Sequence, residues 1–90
     1  MTARDRAADV LESAAKLVTG PRRETYGHYQ ENHERIAALW SAYLRHPISA
    51  KDAALMMALL KISRMTYGGG TSDNAIDAAA YCAIAGALEK

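Results

Sequence analysis

Lys61 and Arg64 stand three residues apart, on one side of a helix, in a stretch that is otherwise almost wholly apolar. Cationic stems can lie along such a stretch while their charged heads reach outward. Those heads require an anion, either a carboxylate of the same chain or a phosphate. Downstream, Asp73 and Asp77 are four apart and neighbours on one helical face, with Tyr81 one turn further on. Two carboxylates at this spacing suit Mg2+ when a substrate phosphate completes its oxygen shell. They suit equally a structural ion network with Lys61 and Arg64, joining the two helices. The spacing fits both arrangements.

A second polar group, Glu31-Asn32-His33-Glu34, lies at the start of another helical pattern. With Ile36 at the centre of that helix's apolar stripe and 100° per residue, Tyr29 falls about 20° away, Asn32 about 40° and His33 about 60°. The stripe therefore turns polar at its N-terminal end. Buried polar groups need partners, so Asn32 and His33 either bond to the loop before them or line a pocket. Glu31 and Glu34 fall about 140° and 160° from the stripe centre and are expected to face solvent. The preceding segment 21–28 carries Arg22, Arg23, Tyr26, Gly27 and His28 and reads as a loop. Loops of this kind are where sites collect; the plain alternative is a solvated connector.

The elements that must position these groups are all helical. Ala7, Val10, Leu11, Ala14 and Val18 recur at helical spacing and predict a first helix over about 3–18. Gly20-Pro21 stops it, the glycine tolerating a left-handed cap and the proline ending the ladder. A second helix is expected over about 29–45, its apolar face made by Tyr29, Ile36, Leu39, Trp40, Tyr43 and Leu44, and broken by His46-Pro47. Ser49 followed by Asp52 resembles a capping box and opens a third helix, over about 50–67. Leu55, Met56, Met57, Leu59, Leu60, Ile62 and Met65 make it apolar nearly all round. Such a helix is enclosed, by its own domain or by a partner subunit. Gly68-Gly69-Gly70 ends it as a hinge or as a close backbone approach to a ligand. Thr71-Ser72 offers a cap to a fourth helix over about 73–89, whose alanines allow close packing.

Ninety residues, half of them apolar, make one domain over 1–90, a single all-α, four-helix-bundle-like unit. A chain this short is marginal alone, and a homo-oligomer, a dimer or tetramer, is expected. A formal net charge of +1 with scattered cations argues against DNA or RNA as partner. Apolar runs are too short to span a membrane and no signal-type segment opens the chain, so a cytoplasmic location is expected. The single cysteine, Cys82, sits among alanines and is expected to be a buried small apolar residue in a reducing compartment. No P-loop, paired CxxC, HExxH or GxSxG pattern is present.

Tyr26-Gly27, the run Glu31 to Ala37, Leu39-Trp40, Asp52, Met56-Met57, Leu60-Lys61-Ile62, Arg64, Asp73 to Asp77 and Tyr81 form an ordered set of blocks from Gly20 onward. The set resembles a family of small helical proteins encoded mainly by tailed phages and prophages, which implies a host-cell cytoplasmic setting. A more distant likeness is to all-α nucleoside-triphosphate pyrophosphatases of MazG type, whose ExxE and ExxD motifs hold Mg2+ against a triphosphate. Glu31-Asn32-His33-Glu34 matches ExxE. Asn74-Ala75-Ile76-Asp77 matches ExxD except that Asn74 replaces the acid. That resemblance implies a nucleotide-handling protein, and, if it is an enzyme, a Mg2+-dependent nucleoside triphosphate pyrophosphohydrolase. Asp77, Asp73, Glu31 and Glu34 would then serve the metal. Lys61, Arg64 and Arg23 would meet phosphates, and Tyr26, Asn32, His33 and Tyr81 the rest of the nucleotide. The alternative is a non-enzymatic module whose helical oligomer binds and alters a host protein, with the same charges as a structural network.

Overall fold

A computed structural model describes residues 2–20 and 28–88, apart from the side chains of residues 3 and 4. Among them the chain forms four helices, α1 (Ala3–Thr19), α2 (Tyr29–Leu44), α3 (Ala50–Tyr67) and α4 (Thr71–Ala87), and they pack as one small all-α domain. No helix is long and apolar enough to cross a membrane, among the described residues. The expectations for segment 21–27 and for Glu89 fall outside the described residues.

Each helix starts for a local reason. Thr2 caps α1 reciprocally: its hydroxyl accepts from the Asp5 amide while Asp5 accepts from the Thr2 backbone. His28 caps α2, its Nδ1 accepting the Gln30 amide at 3.1 Å. Ser49 caps α3 through the Asp52 amide, as its spacing implies. At α4 the expectation fails. Gly70 occupies the cap, Thr71 and Ser72 are already helical, and no side chain caps the end. Gly68, Gly69 and Gly70 all have positive φ, so the reversal between α3 and α4 is a left-handed turn that only glycine enters cheaply.

Two stops differ from expectation. Gly20 is extended rather than left-handed, with φ −96°. It is needed because a Cβ there would collide with the Lys16 carbonyl. The end of α2 is instead turned by Arg45, which takes the left-handed conformation itself at φ 55°. The short connection to α3 is fixed by Ser41, whose hydroxyl accepts the Ile48 amide at 2.8 Å and donates to the Ile48 carbonyl at 3.2 Å.

Packing places α4 against both α3 and α1, while α2 packs on α3. The core is built from small side chains. Ala14, Ala37, Ala53, Ala54, Ala58, Ala78, Ala80 and Ala85 are buried, with Ile84 and Leu88 the larger members. Ala54, Ile84, Ala85 and Leu88 form its centre, joined by Val18, Tyr29, Ala50 and Tyr81.

The helices therefore present different faces inward from those the large apolar residues indicate. Leu11 of α1 is exposed, while Ala14 and Val18 face the core. On α2 the buried line is His33 and Ala37, with Leu39, Tyr43 and Leu44 outside. On α3 the buried residues are Ala53, Ala54 and Ala58; Leu55, Met56, Leu59, Leu60 and Ile62 are exposed. The domain itself thus does not enclose α3. Cys82 is also exposed, contrary to expectation, because it sits one 100° step beyond the half-buried Tyr81.

Candidate functional site

Facing helices carry the polar side chains that the subunit draws inward. On α3 the inward line Ala54, Ala58 and Lys61 follows helical spacing, so the lysine stem continues the buried alanine row. On α4 the corresponding line is Asp77, Tyr81, Ile84 and Leu88. Where the two lines meet, Lys61 Nζ lies 3.1 Å from an Asp77 carboxylate oxygen. Their side chains are 15% and 21% exposed, so the pair is largely withdrawn from water yet still reachable. One turn along α4, the Tyr81 ring stands edge-on to His33 of α2, with centroids 5.9 Å apart at 71°. Lys61, Asp77, Tyr81 and His33 thus form one polar line across three helices.

His33 is the most buried polar residue of that line, at 2% exposure. Its Nδ1 lies 2.8 Å from the Tyr29 carbonyl. A carbonyl only accepts, so Nδ1 carries a proton and donates it there. Nε2 is buried and has no hydrogen-bond partner among the described residues. A polar atom without a partner in so dry a position is costly, and such groups in native proteins call for a specific reason. The loop over 21–27, one of the two outcomes open to His33, lies outside the described residues; among those described, the ring bonds back to its own helix at Tyr29.

The other expected residues separate into two groups. Arg64 and Asp73 each lie one turn closer than Lys61 and Asp77 to the glycine turn, both exposed and not paired with each other. Asn32 is half-buried and accepts a long hydrogen bond from Arg35 at 3.5 Å. Glu31 and Glu34 are exposed, in line with their position on the helical wheel. Arg23 and Tyr26, like Arg22 and Gly27, lie outside the described residues. Among the described residues, no three His, Cys, Asp or Glu side chains come together as a metal shell. Asp73, Asp77, Glu31 and Glu34 therefore do not form a four-acid site within one subunit. What a single subunit assembles is a cation–carboxylate pair beside a tyrosine and an unsatisfied imidazole.

Sequence reasoning identified every member of this line but not its centre. The wheel placed Ile36 inward, whereas the buried positions are His33 and Ala37. The usable signal was the i, i+4 row of small and polar residues His33, Ala37 and Ser41, which the heavier apolar stripe outweighed.

The chain is similar to proteins of two mycobacterial phages. It is 45% identical over 82 residues to the Gene 55 protein of Mycobacterium phage L5, covering 90% of this chain and 51% of that protein. It is 42% identical over 81 residues to the Gene 55 protein of Mycobacterium phage D29, covering 90% of this chain and 52% of that one. The chain thus spans about half the length of the curated relatives it matches. No solved structure matches it. The family model described as Domain of unknown function (DUF6378) matches residues 9–89, nearly the whole of the helical domain, and the chain belongs to that family.

Proposed function

We propose that this phage-related protein handles nucleotides, binding the phosphates of a nucleotide or nucleotide signal at the Lys61–Asp77 pair, with Mg2+ as cofactor. The single observation that carries this reading is that pair: a cation and a carboxylate 3.1 Å apart, mostly withdrawn from water but not sealed. In the free protein Asp77 neutralises Lys61. On binding, Lys61 turns to a phosphate oxygen, with Arg64 one turn away and Arg23 as further cationic support. The released Asp77, with Asp73, is then free to serve a magnesium ion. Mg2+ is commonly held by one or two carboxylates plus phosphate oxygens and water, so a shell of three acids is not required. Mg2+ bound there would neutralise developing phosphate charge and activate water. Glu31 and Glu34 face solvent in the subunit and are not needed for that shell. The buried Nε2 of His33 suits a hydrogen bond to base or sugar, and Tyr81, Tyr26 and Asn32 add stacking or hydrogen bonds. The resemblance to MazG-type pyrophosphatases supports hydrolysis of a triphosphate as the enzymatic form of this reading. Sequestration of a nucleotide signal is the non-enzymatic form.

Thermal unfolding in the presence of nucleoside triphosphates, diphosphates and dinucleotides, each with and without Mg2+, tests it. A ligand specific to the folded state at 100 times its Kd stabilises by about 2.7 kcal/mol and raises Tm by roughly 10–20 °C for a domain of this size. The expected result is such a rise for at least one nucleotide, lost in Lys61→Gln. Unchanged melting with every nucleotide ends the proposal. A second reading, a module that binds and alters a host protein through its helical surface, is favoured by the exposed apolar face of α3. It predicts no nucleotide-dependent shift.

A further inference from the structure

Large and small side chains are distributed the wrong way round for a free-standing monomer. Among the described residues, eight of the ten buried core residues are alanines, and no large side chain is fully buried. The bulk lies outside. On α3, Leu55, Leu59 and Ile62 follow i, i+4, i+7 spacing and make one exposed stripe; Met56, Leu60 and Tyr67 make a second beside it. Leu59 is 63% exposed and Tyr67 95%. On a wheel of 100° per residue the two stripes lie on either side of the buried Ala54 position, Leu55, Leu59 and Ile62 about 80–140° from it one way and Met56, Leu60 and Tyr67 about 120–160° the other way.

The chain's surface area measures the excess. It exposes 6386 Å², whereas a compact monomer of 9.7 kDa is expected to expose about 5,100 Å². Its radius of gyration is 13.9 Å and its extents are 47 × 29 × 22 Å, against about 12 Å expected for a compact domain of this length. The surplus of roughly 1,300 Å² per subunit exceeds the ~800 Å² each partner gives to a standard interface. It falls in the range of obligate homodimers, whose interfaces resemble a domain core cut in half.

We infer that the outer face of α3 is the interface of an obligate homodimer, with a second copy of this chain as its occupant. The alanine core selects the occupant. A domain whose own interior holds almost no large side chains needs its missing burial from the moment it folds. A second copy is the partner present wherever the chain is made. A two-fold axis also needs only one self-complementary patch, which a stripe of Leu and Ile provides. The inference goes beyond the nucleotide reading and uses none of its residues.

Sedimentation equilibrium of the nucleotide-free protein, combined with thermal unfolding over a hundredfold range of concentration, tests it. The expected mass is about 19 kDa, twice that of the chain, and Tm should fall by about 3–4 °C per tenfold dilution. Leu59→Lys should dissociate the protein at concentrations where the wild type is dimeric, whether the released chain stays folded or unfolds. Glu12→Lys, on the exposed side of α1, should not. A 9.7 kDa species with concentration-independent melting overturns the inference and leaves the face to another partner. A wild-type dimer left unchanged by Leu59→Lys overturns it equally, because the interface then lies elsewhere. Neither result bears on nucleotide binding, which is measured separately.

Discussion

At the scale of single residues, His33 and the Lys61–Asp77 pair put opposite demands on stability. The pair is worth something to the fold. Asp77→Asn leaves Lys61 facing a neutral partner at 15% exposure. An exposed pair contributes about 0–1 kcal/mol, and breaking a fully buried one costs about 3–5. After discounting for the solvent that reaches it, about 1–3 kcal/mol of lost stability is expected in urea unfolding. Replacing both members, Lys61→Met with Asp77→Leu, should recover most of that loss, since no charge is then stranded. His33 behaves differently. Its buried Nε2 has no partner among the described residues, so the imidazole stabilises the fold little. His33→Leu should unfold within about 1 kcal/mol of the wild type in either direction. If the nitrogen is kept for a ligand, the same variant should lose any nucleotide-dependent rise in Tm. A large destabilisation would make His33 a structural residue instead.

At the scale of the elements, starts and stops are set by two or three atoms, which explains which of them could be read in advance. Ser49 was legible as a cap because its hydroxyl needs only the amide three residues on, a fact of local sequence. Gly20 and Gly68 to Gly70 were legible as stops, but the reason at Gly20 was not. Whether a glycine is needed for its φ or for a close approach depends on the path of the chain, and here Lys16's carbonyl decides it. His28 as a cap and Arg45 in the left-handed region were illegible, because neither residue type favours those roles. Both give predictions. Arg45→Gly removes the Cβ strain of a left-handed residue and should raise stability by about 0.5–1 kcal/mol, read as a higher urea midpoint at unchanged slope. Ser41→Ala removes both hydrogen bonds to Ile48 and leaves a half-buried amide and carbonyl unpaired. It should cost about 1–3 kcal/mol, in the same assay.

At the scale of the whole molecule, the four helices and their order were legible, and the faces they turn inward were not. Hydrophobic periodicity records which side of a helix is covered without recording what covers it. In α2 and α3 many large apolar residues, Leu39, Tyr43, Leu59 and Leu60 among them, are exposed, while Trp40 and Ile36 are only half-buried, so their signal pointed away from the core. The alanines that do form the core weigh little on any hydropathy scale, yet they let helices approach to the short end of the usual separations. That gives them a role their size conceals. Ala54 is fully buried where α3 meets Ile84, Ala85 and Leu88 of α4. Adding three carbons there must push the helices apart or force strained rotamers, so Ala54→Leu should destabilise by about 1–3 kcal/mol despite being more hydrophobic. A displaced α4 would also carry Asp77 and Tyr81 away from Lys61 and His33. The same variant should therefore weaken any nucleotide-dependent shift, although residue 54 belongs to the packing and not to the polar line. If Ala54→Leu instead stabilised the protein, the close helix spacing would not be what aligns that line, and the link drawn here between the alanine core and the site would fail.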